Sequence, residues 1–140
     1  MSMNVLWSLH PQLEHDTAPV GDLTLSRLLA MNDMTYPWVV LVPRRLNAVE
    51  IMDLAEPEQS RLMSEIAAVS AALKRLTGCD KLNVAAIGNV VPQLHVHIVA
   101  RRRDDPAWPR PVWGAAPARP YAAADMQSFI AALRGAIGLA

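Results

Sequence analysis

The stretch between Pro57 and Gly78 constrains the fold more than any other part of this sequence. Its large aliphatic residues recur at intervals of four and three, which is the spacing of one face of an α-helix. The positions are Leu62, Ile66, Val69, Leu73 and Leu76. Pro57 stands where a first helical turn tolerates proline, and Gly78 takes the C-cap position after Lys74 and Arg75. We therefore predict a helix of about twenty residues with one buried stripe.

Short apolar runs on both sides of this helix predict β-strands. Two precede it, at Arg27–Met31 and Trp38–Val42, and two follow it, at Lys81–Ala86 and Leu94–Arg101. The unbroken apolar character of Trp38–Val42 is typical of a strand covered on both faces. Strands that flank one long helix indicate an α+β fold with an antiparallel sheet.

The two ends of the chain are predicted to be less regular. Residues 1–22 carry Pro11, Pro19 and Gly21 and are interpreted as an irregular N-terminal arm. Residues 101–140 are rich in tryptophan and proline and finish in a short helix from about Ala122 to Arg134. We expect one domain over residues 1–140, which suits a chain of this length.

Composition excludes several classes of protein. Thirteen basic and thirteen acidic residues cancel, which argues against general nucleic-acid binding because such proteins carry a basic excess. A single cysteine, Cys79, rules out a disulfide within the chain. The longest apolar run, Trp38–Val42, is far too short to span a membrane, and the first ten residues lack the basic region of a secretory signal. We expect a cytoplasmic protein.

The segment from Gln93 to Val99 carries the chemistry. Polar and apolar residues alternate strictly, so in a strand Gln93, His95 and His97 share one face. Imidazoles two residues apart lie about 6.5–7 Å apart and can flank one phosphate, where one attacks and the other donates a hydrogen bond. Two alternatives stay open: a plain solvent-facing strand, and a zinc site that would need His10 or His15 as a third ligand. We expect no metal and no cofactor.

These residues resemble the histidine-triad (HIT) family, whose signature is three histidines alternating with apolar residues on the last core strand. The likeness covers roughly residues 20–114: the strand after Pro37, the long helix, the Gly88-Asn89 turn, the modified triad and the Trp/Pro-rich segment. The resemblance implies an α+β homodimer whose two sheets join. It also implies a nucleotide-binding protein that transfers or hydrolyses nucleotidyl groups through a covalent nucleotidyl-histidine.

The resemblance also implies roles for individual residues. His95 matches the nucleophilic histidine, and His97 matches the third histidine, which contacts phosphate oxygens. Asn89 falls where a family residue reaches the phosphate, and Asn32 falls where one holds the ribose hydroxyls. Three apolar residues near Asn32 would help to wall a base pocket, although burial in the core explains them as well: Leu28, Leu29 and Met31.

Two positions depart from the family pattern. Gln93 replaces the first triad histidine, and Trp38 replaces the upstream histidine that precedes the apolar strand. We hypothesise that the two replacements meet, with the Trp38 indole N–H donating to the Gln93 side-chain oxygen. Alternatively, Trp38 is a core aromatic, and Gln93 steadies the catalytic ring through its backbone carbonyl. The changes remove two groups that can shuttle a proton to a leaving group.

Basic and aromatic residues beyond the catalytic strand are further candidates. Arg101 alternates with His97 and is predicted to share its face and to contact phosphate, since guanidinium fits phosphate oxygens. Arg44 and Arg45 are weaker candidates. Trp108 and Trp113 are expected either to close the pocket or to pack the dimer.

The sequence thus predicts a hydrolase or transferase that acts on the α-phosphate of a purine nucleoside phosphate. Its substrates would be phosphoramidates, anhydrides or dinucleoside polyphosphates, cleaved through a nucleotidyl-His95 intermediate. Catalytic roles fall to His95, His97 and Gln93, and substrate contacts to Asn32, Asn89, Trp38 and Arg101. The alternative is a nucleotide-binding or adaptor protein with weak or no catalysis, which the changes at Gln93 and Trp38 favour.

Overall fold

A computed structural model describes residues 6–139 and confirms the α+β prediction. Five strands form one antiparallel sheet in the order β1-β2-β3-β5-β4. The elements, in chain order, are α1 (Pro11–Asp16), β1 (Thr17–Asp22), β2 (Ser26–Met31), β3 (Trp38–Pro43), α2 (Glu56–Thr77), β4 (Lys81–Ala85), β5 (Val96–Arg101) and α3 (Ala123–Ile137).

The long helix α2 forms as the sequence predicts. It begins with Glu56 and Pro57, and it ends at Gly78, whose φ of 62° is the left-handed conformation that glycine adopts without steric cost. Its stripe packs on the sheet through residues such as Val69 and Leu73, but Leu76 is 42% exposed. The buried stripe therefore stops one turn before the helix does.

The N-terminal arm is more regular than expected, and this part of the prediction is wrong. Residues 11–16 form α1, and residues 17–22 form the edge strand β1. Pro11 occupies the first helical turn, and the His10 side chain caps the helix by accepting a hydrogen bond from the Gln12 backbone N–H. Pro19 is accommodated where the β1–β2 register shifts, next to Gly21. The turn formers thus mark a helix start and an irregularity in the strand.

The central strand β3 is buried along its whole length and divides two apolar layers. On one face, Val39 and Leu41 pack against α2 and α3. On the other face, Val40 and Val42 pack against α1 and the segment that follows β5. His97 is the partner of Val40 across the β3–β5 ladder, so it lies on this second face, away from the long helix.

Helix α2 is also tied to the strands by a buried carboxylate. Glu65 accepts hydrogen bonds from the backbone N–H groups of Leu25 and Ser26, at 2.8 and 3.0 Å. Ser26 begins β2 and Leu25 is the last residue of the turn before it, so one side chain fixes the β1–β2 turn against the helix. Within residues 6–139, no helix combines the length and the apolar character that crossing a bilayer requires.

Candidate active site

His95 and His97 meet on the face of the sheet opposite α2. Their ring centroids are 5.0 Å apart, and each residue is 6% exposed. Strand β5 begins only at Val96, two residues after the predicted start at Leu94, so His95 precedes the strand instead of lying within it. The backbone N–H of Leu94 bonds to the carbonyl of Ala48, outside the β3–β5 ladder. The two imidazoles nevertheless share one site.

A backbone carbonyl orients the ring of His95. The Nδ1 atom lies 2.7 Å from the carbonyl oxygen of Gln93. A carbonyl can only accept a hydrogen bond, so Nδ1 carries a proton, and in the neutral ring Nε2 then keeps its lone pair. The expectation that Gln93 steadies the catalytic ring through its carbonyl matches this contact. An imidazole in this tautomer is able to act as a nucleophile through Nε2.

The two histidines form part of the wall of a cavity of about 610 Å³. Its other walls come from α1, from the end of β2, from the loop after β4 and from the segment before α3. The side chains that matter below are Leu13, His15, Asp16, Met31, Asn32, Trp38, Asn89, Val91 and Trp113. The cavity is large enough for a small ligand such as a mononucleotide.

Two amides that the sequence singled out lie in this cavity. Asn32 accepts a hydrogen bond from the backbone N–H of Tyr121 at 2.8 Å through Oδ1, which fixes the orientation of its amide. Asn89 is exposed and follows Gly88, whose φ of 66° allows the turn after β4. Of the three apolar candidates, Met31 lines the cavity, whereas Leu28 and Leu29 are fully buried in the core.

Trp38 reaches His97, and the predicted contact with Gln93 is wrong. The indole Nε1 donates to Nδ1 of His97 at 3.0 Å, and the edge of Trp113 packs against both rings. Burial, reinforced by the neighbouring His95, lowers the pKa of His97 to about 4. Trp38 is therefore a core aromatic whose one polar atom is used at the site.

Gln93 turns toward the N-terminal arm instead. Its Oε1 accepts from the backbone N–H of His10 at 2.8 Å, and its Nε2 donates to the carbonyl of Ser8 at 2.9 Å. The physical reason is that the arm brings one backbone donor and one backbone acceptor to this side chain, while Trp38 finds its acceptor on His97. The Gln93 side chain is thus occupied in holding the arm.

The prediction that Arg101 contacts phosphate is wrong. Arg101 does follow His97 on the same face, but it is only 1% exposed. Its guanidinium donates to Asp105 at 2.7 and 3.0 Å and to Asn83 at 2.8 Å, and it lies between the rings of Tyr36 and Trp108. The guanidinium therefore donates its hydrogen bonds to other residues of the folded chain and not to a ligand in the cavity.

Of the remaining basic and aromatic candidates, one lines the cavity and the others lie outside it. Arg44 donates to the carbonyls of Leu23 and Thr24, and Arg45 pairs with Glu58, so neither lines the cavity. Trp108 packs on Arg101, whereas Trp113 lines the cavity beside His97.

Sequence reasoning missed the contribution of α1. His15 and Asp16 line the cavity, with His15 Nδ1 and an Asp16 oxygen 3.0 Å apart, and Leu13 is buried against the β3 face. From the sequence alone, His15 is considered only as a possible third zinc ligand. The Pro11-Gln12 start followed by Glu14 is a helix signal that could have located this wall.

Among residues 6–139 no three His, Cys, Asp or Glu side chains are grouped to hold a metal ion, as the zinc alternative would require.

Comparison with known proteins places this arrangement in a family. The model of the HIT domain matches residues 12–104. A histidine triad protein from Bradyrhizobium japonicum is 58% identical, with a TM-score of 0.93, and the match covers 95% of this chain and 99% of the other.

Two further solved structures are also similar. A histidine triad protein from Marinobacter aquaeolei is 45% identical over 97% of this chain and 100% of the other, with a TM-score of 0.93. One from Sinorhizobium meliloti is 42% identical over 92% and 96%, with a TM-score of 0.91. No curated protein gives a significant match. The family model covers well over half of the chain, and the protein therefore belongs to the histidine triad (HIT) family.

Proposed function

We propose that this protein binds a purine nucleoside phosphate and cleaves it through a nucleotidyl-His95 intermediate. Membership of the HIT family supports a nucleotide-binding hydrolase or transferase at the level of the family. The observation that carries the proposal for this chain is the 2.7 Å contact between His95 Nδ1 and the Gln93 carbonyl. In the neutral ring, this contact leaves Nε2 of a cavity-lining histidine with the lone pair that a nucleophile needs.

The proposed reaction has two displacements at the α-phosphorus. In the first, His95 Nε2 forms a bond to phosphorus, and the bond to the leaving group breaks with its electron pair on that group. In the second, water or another acceptor attacks the nucleotidyl-histidine and returns the electron pair to Nε2. His97 donates a hydrogen bond to a phosphoryl oxygen and thereby stabilises charge as the phosphorus becomes crowded.

The rest of the cavity fits a nucleoside. Met31 and Leu13 offer apolar surface to a base, and the amide of Asn32 lies in the same cavity for the ribose hydroxyls. Asn89, at the turn after β4, is our candidate for a second phosphate contact. No step in this scheme uses a metal ion or a cofactor.

The substrates that we propose have activated leaving groups. Neither Gln93 nor Trp38 can supply the proton that a histidine at those positions could supply. We therefore propose nucleoside phosphoramidates, acyl adenylates and phosphoanhydrides, including dinucleoside polyphosphates, as the substrate class.

Product analysis by phosphorus NMR tests this proposal. The protein is incubated with an adenosine phosphoramidate, diadenosine tetraphosphate and ADP, in parallel with His95→Ala. We expect release of AMP that disappears in the variant, while AMP binding by calorimetry shows that the variant is folded. Equal release by both proteins would overturn the proposal.

A nucleotide-binding protein without significant turnover is the second candidate. The observation that favours it is the use of the Gln93 side chain to hold Ser8 and His10, which removes one triad position from chemistry altogether. AMP binding without His95-dependent release from any of the three compounds would support this candidate over the first.

We also propose that the protein acts as a cytoplasmic homodimer. Strand β4 is an edge of the sheet, and large apolar side chains are exposed along it and the loop that follows, at Val84, Ile87 and Val90. An exposed edge with apolar residues favours pairing with a second chain. Sedimentation equilibrium of the wild type and of Val84→Lys tests this, and we expect the variant to be monomeric. A wild type that sediments as a monomer would exclude it.

A further inference from the structure

Trp38 and His97 form a buried contact that determines where His97 holds its proton. We propose that Trp38 is a positioning residue that keeps His97 in one neutral tautomer, protonated at Nε2. His97 then donates a hydrogen bond to the phosphoryl group without protonating the leaving group. The preferred substrates are those whose leaving group departs as a stable anion. This preference rests on the proposed function, whereas the tautomer itself does not.

The tautomer follows from the hydrogen-bonding capacity of the two rings. An indole Nε1 is a donor only, and it lies 3.0 Å from Nδ1 of His97. Nδ1 must therefore present its lone pair. A neutral imidazole has one N–H, so the proton of His97 is on Nε2. Both rings are buried, so an arrangement that left either nitrogen without its partner would carry a desolvation cost.

The charged form of His97 is incompatible with this contact. An imidazolium carries a proton on both nitrogens, so Nδ1–H would face the indole N–H and both donors would lose their partner. The groups packed against His97 do not offset this. The nearest rings are His95, Trp38 and Trp113, with centroids 5.0, 5.7 and 5.1 Å away. Its neighbours across the sheet are Val40 and Ala85, and no carboxylate in residues 6–139 hydrogen-bonds to it.

A neutral His97 is a hydrogen-bond donor but a poor acid. To protonate a leaving group it would have to give up the Nε2 proton and become an imidazolate anion. The carboxylate of an acyl adenylate and the phosphate of an anhydride leave as stable anions and need no proton. An alkylamine must acquire a proton as its bond to phosphorus breaks. We therefore expect anhydrides to be cleaved faster than alkyl phosphoramidates.

The other ionisable residues that line the cavity are His15, Asp16 and Asp33. Asp16 is the partner of His15, and Asp33 accepts hydrogen bonds from the backbone N–H groups of Thr35 and Arg119. His15 is the remaining imidazole that lines the cavity, and its side chain is 83% exposed. It is the group that could replace the missing acid, so the experiment includes His15→Asn.

The first measurement is nitrogen NMR of the free, 15N-labelled protein between pH 6 and 8. Couplings from the ring protons distinguish the two neutral tautomers and the cation. We expect His97 to be protonated only at Nε2 throughout. Trp38→Phe retains an aromatic ring but removes the N–H, so it should shift the Nδ1 signal and admit the second tautomer. Trp108→Phe is the matched control and should leave the pattern of His97 unchanged. A role for Trp38 in packing alone predicts no change in either variant.

The second measurement compares two AMP derivatives, a mixed anhydride with a carboxylic acid and an alkyl phosphoramidate. The rate with His95→Ala is subtracted from each. We expect kcat/KM to be greater for the anhydride by about 10²-fold or more, the lower end of what general acid catalysis contributes. We expect His15→Asn to leave this ratio unchanged. An amidate cleaved as fast as the anhydride would overturn the preference. An amidate rate abolished by His15→Asn would show that His15 supplies the proton, and it would overturn the inference that the tautomer of His97 determines the substrate class.

The two measurements separate the inference from the proposed function. If His97 shows the expected tautomer but no compound is turned over through His95, the proposed function fails and the role of Trp38 stands. If both compounds are turned over through His95 but Nδ1 of His97 is protonated, the function stands and the inference is wrong.

Discussion

The side-chain oxygen of Gln93 accepts a hydrogen bond from the backbone N–H of His10 at 2.8 Å, and its amide nitrogen donates to the carbonyl of Ser8 at 2.9 Å. One primary amide thus pairs with two backbone groups much as a neighbouring strand would. This contact attaches the N-terminal arm beside His95. Because α1 begins directly after His10, Gln93 also anchors one wall of the cavity.

We predict that Gln93→Ala weakens AMP binding while His95 stays in place. Two hydrogen bonds of about 0.5–1.5 kcal/mol each hold the arm, so their loss should lower affinity by roughly tenfold. The carbonyl that orients His95 belongs to the backbone and is retained. Titration calorimetry measures the affinity, and faster proteolysis near Ser8 should accompany its loss.

Two further variants serve as a matched control and as a conservative substitution for Gln93→Ala. Gln127→Ala removes an exposed glutamine on α3 and should bind AMP like the wild type. Gln93→Glu keeps the acceptor for His10 but loses the donor to Ser8, so its affinity should be intermediate. Unchanged binding in Gln93→Ala would show that α1 is not part of the nucleotide site.

Much of the fold could be predicted because its signals are local. The apolar spacing in α2, the proline at its start and Gly78 at its end are properties of consecutive residues, and the structure has all three. The prediction of an irregular arm is wrong because proline, which interrupts the interior of helices and strands, is tolerated at a helix start and beside a strand irregularity, where Pro11 and Pro19 stand. That difference depends on which neighbour each residue packs against.

The same difference between local and long-range signals applies to the site. Alternation alone places His97 and Arg101 on one face, and the structure agrees. It could not show that Asn83 reaches Arg101 from the neighbouring strand, or that the arm returns to Gln93, since these contacts join distant parts of the chain. Residue type and spacing identified the candidates, but long-range pairing determined which of them face the cavity.

We predict that Glu65→Gln destabilises the protein with little effect on nucleotide affinity. Glu65 is buried, and its two oxygens accept the backbone N–H groups of Leu25 and Ser26. The amide leaves one of these donors facing another N–H, at a cost of about 1–3 kcal/mol. Urea unfolding measures the change. Glu56→Gln, an exposed change on the same helix, should cost less than about 0.5 kcal/mol. Equal stabilities for the two variants would contradict this prediction.

We predict that His97 makes the protein less stable as the pH falls from neutral. Burial, together with His95, lowers the pKa of His97 to about 4. The unfolded chain, with a histidine pKa near 6.5, binds more protons between these values. The neutral His97 therefore makes its full contribution to the free energy of unfolding above about pH 6.5. This contribution, at most about 3 kcal/mol, is lost as the pH falls through the folded pKa.

Unfolding experiments at several pH values test this dependence. His97→Asn should flatten the stability profile between pH 6.5 and 4, whatever its effect on absolute stability. His15→Asn, at a largely exposed position, should keep the slope of the wild type. A slope that is the same in wild type and His97→Asn would show that His97 is not held neutral.

We predict that Asp105→Asn destabilises the protein most at neutral pH. Burial alone would raise the pKa of Asp105, but hydrogen bonds from Arg101 and from the backbone N–H groups of Arg102 and Trp108 outweigh it, so this pKa is lowered. Because the folded pKa is lowered, the ionised carboxylate stabilises the protein above its unfolded pKa of about 3.9, and this stability is lost as the pH falls through the folded value. The variant leaves a buried guanidinium without its charged partner, which costs about 3–5 kcal/mol.

Unfolding by urea at pH 7 and at pH 3 should show the difference between wild type and variant shrinking in acid. Asp104→Asn, at an exposed position, is the matched control and should show a small difference at both pH values. A difference for Asp105→Asn that does not shrink in acid would mean that the carboxylate charge is not what holds Arg101.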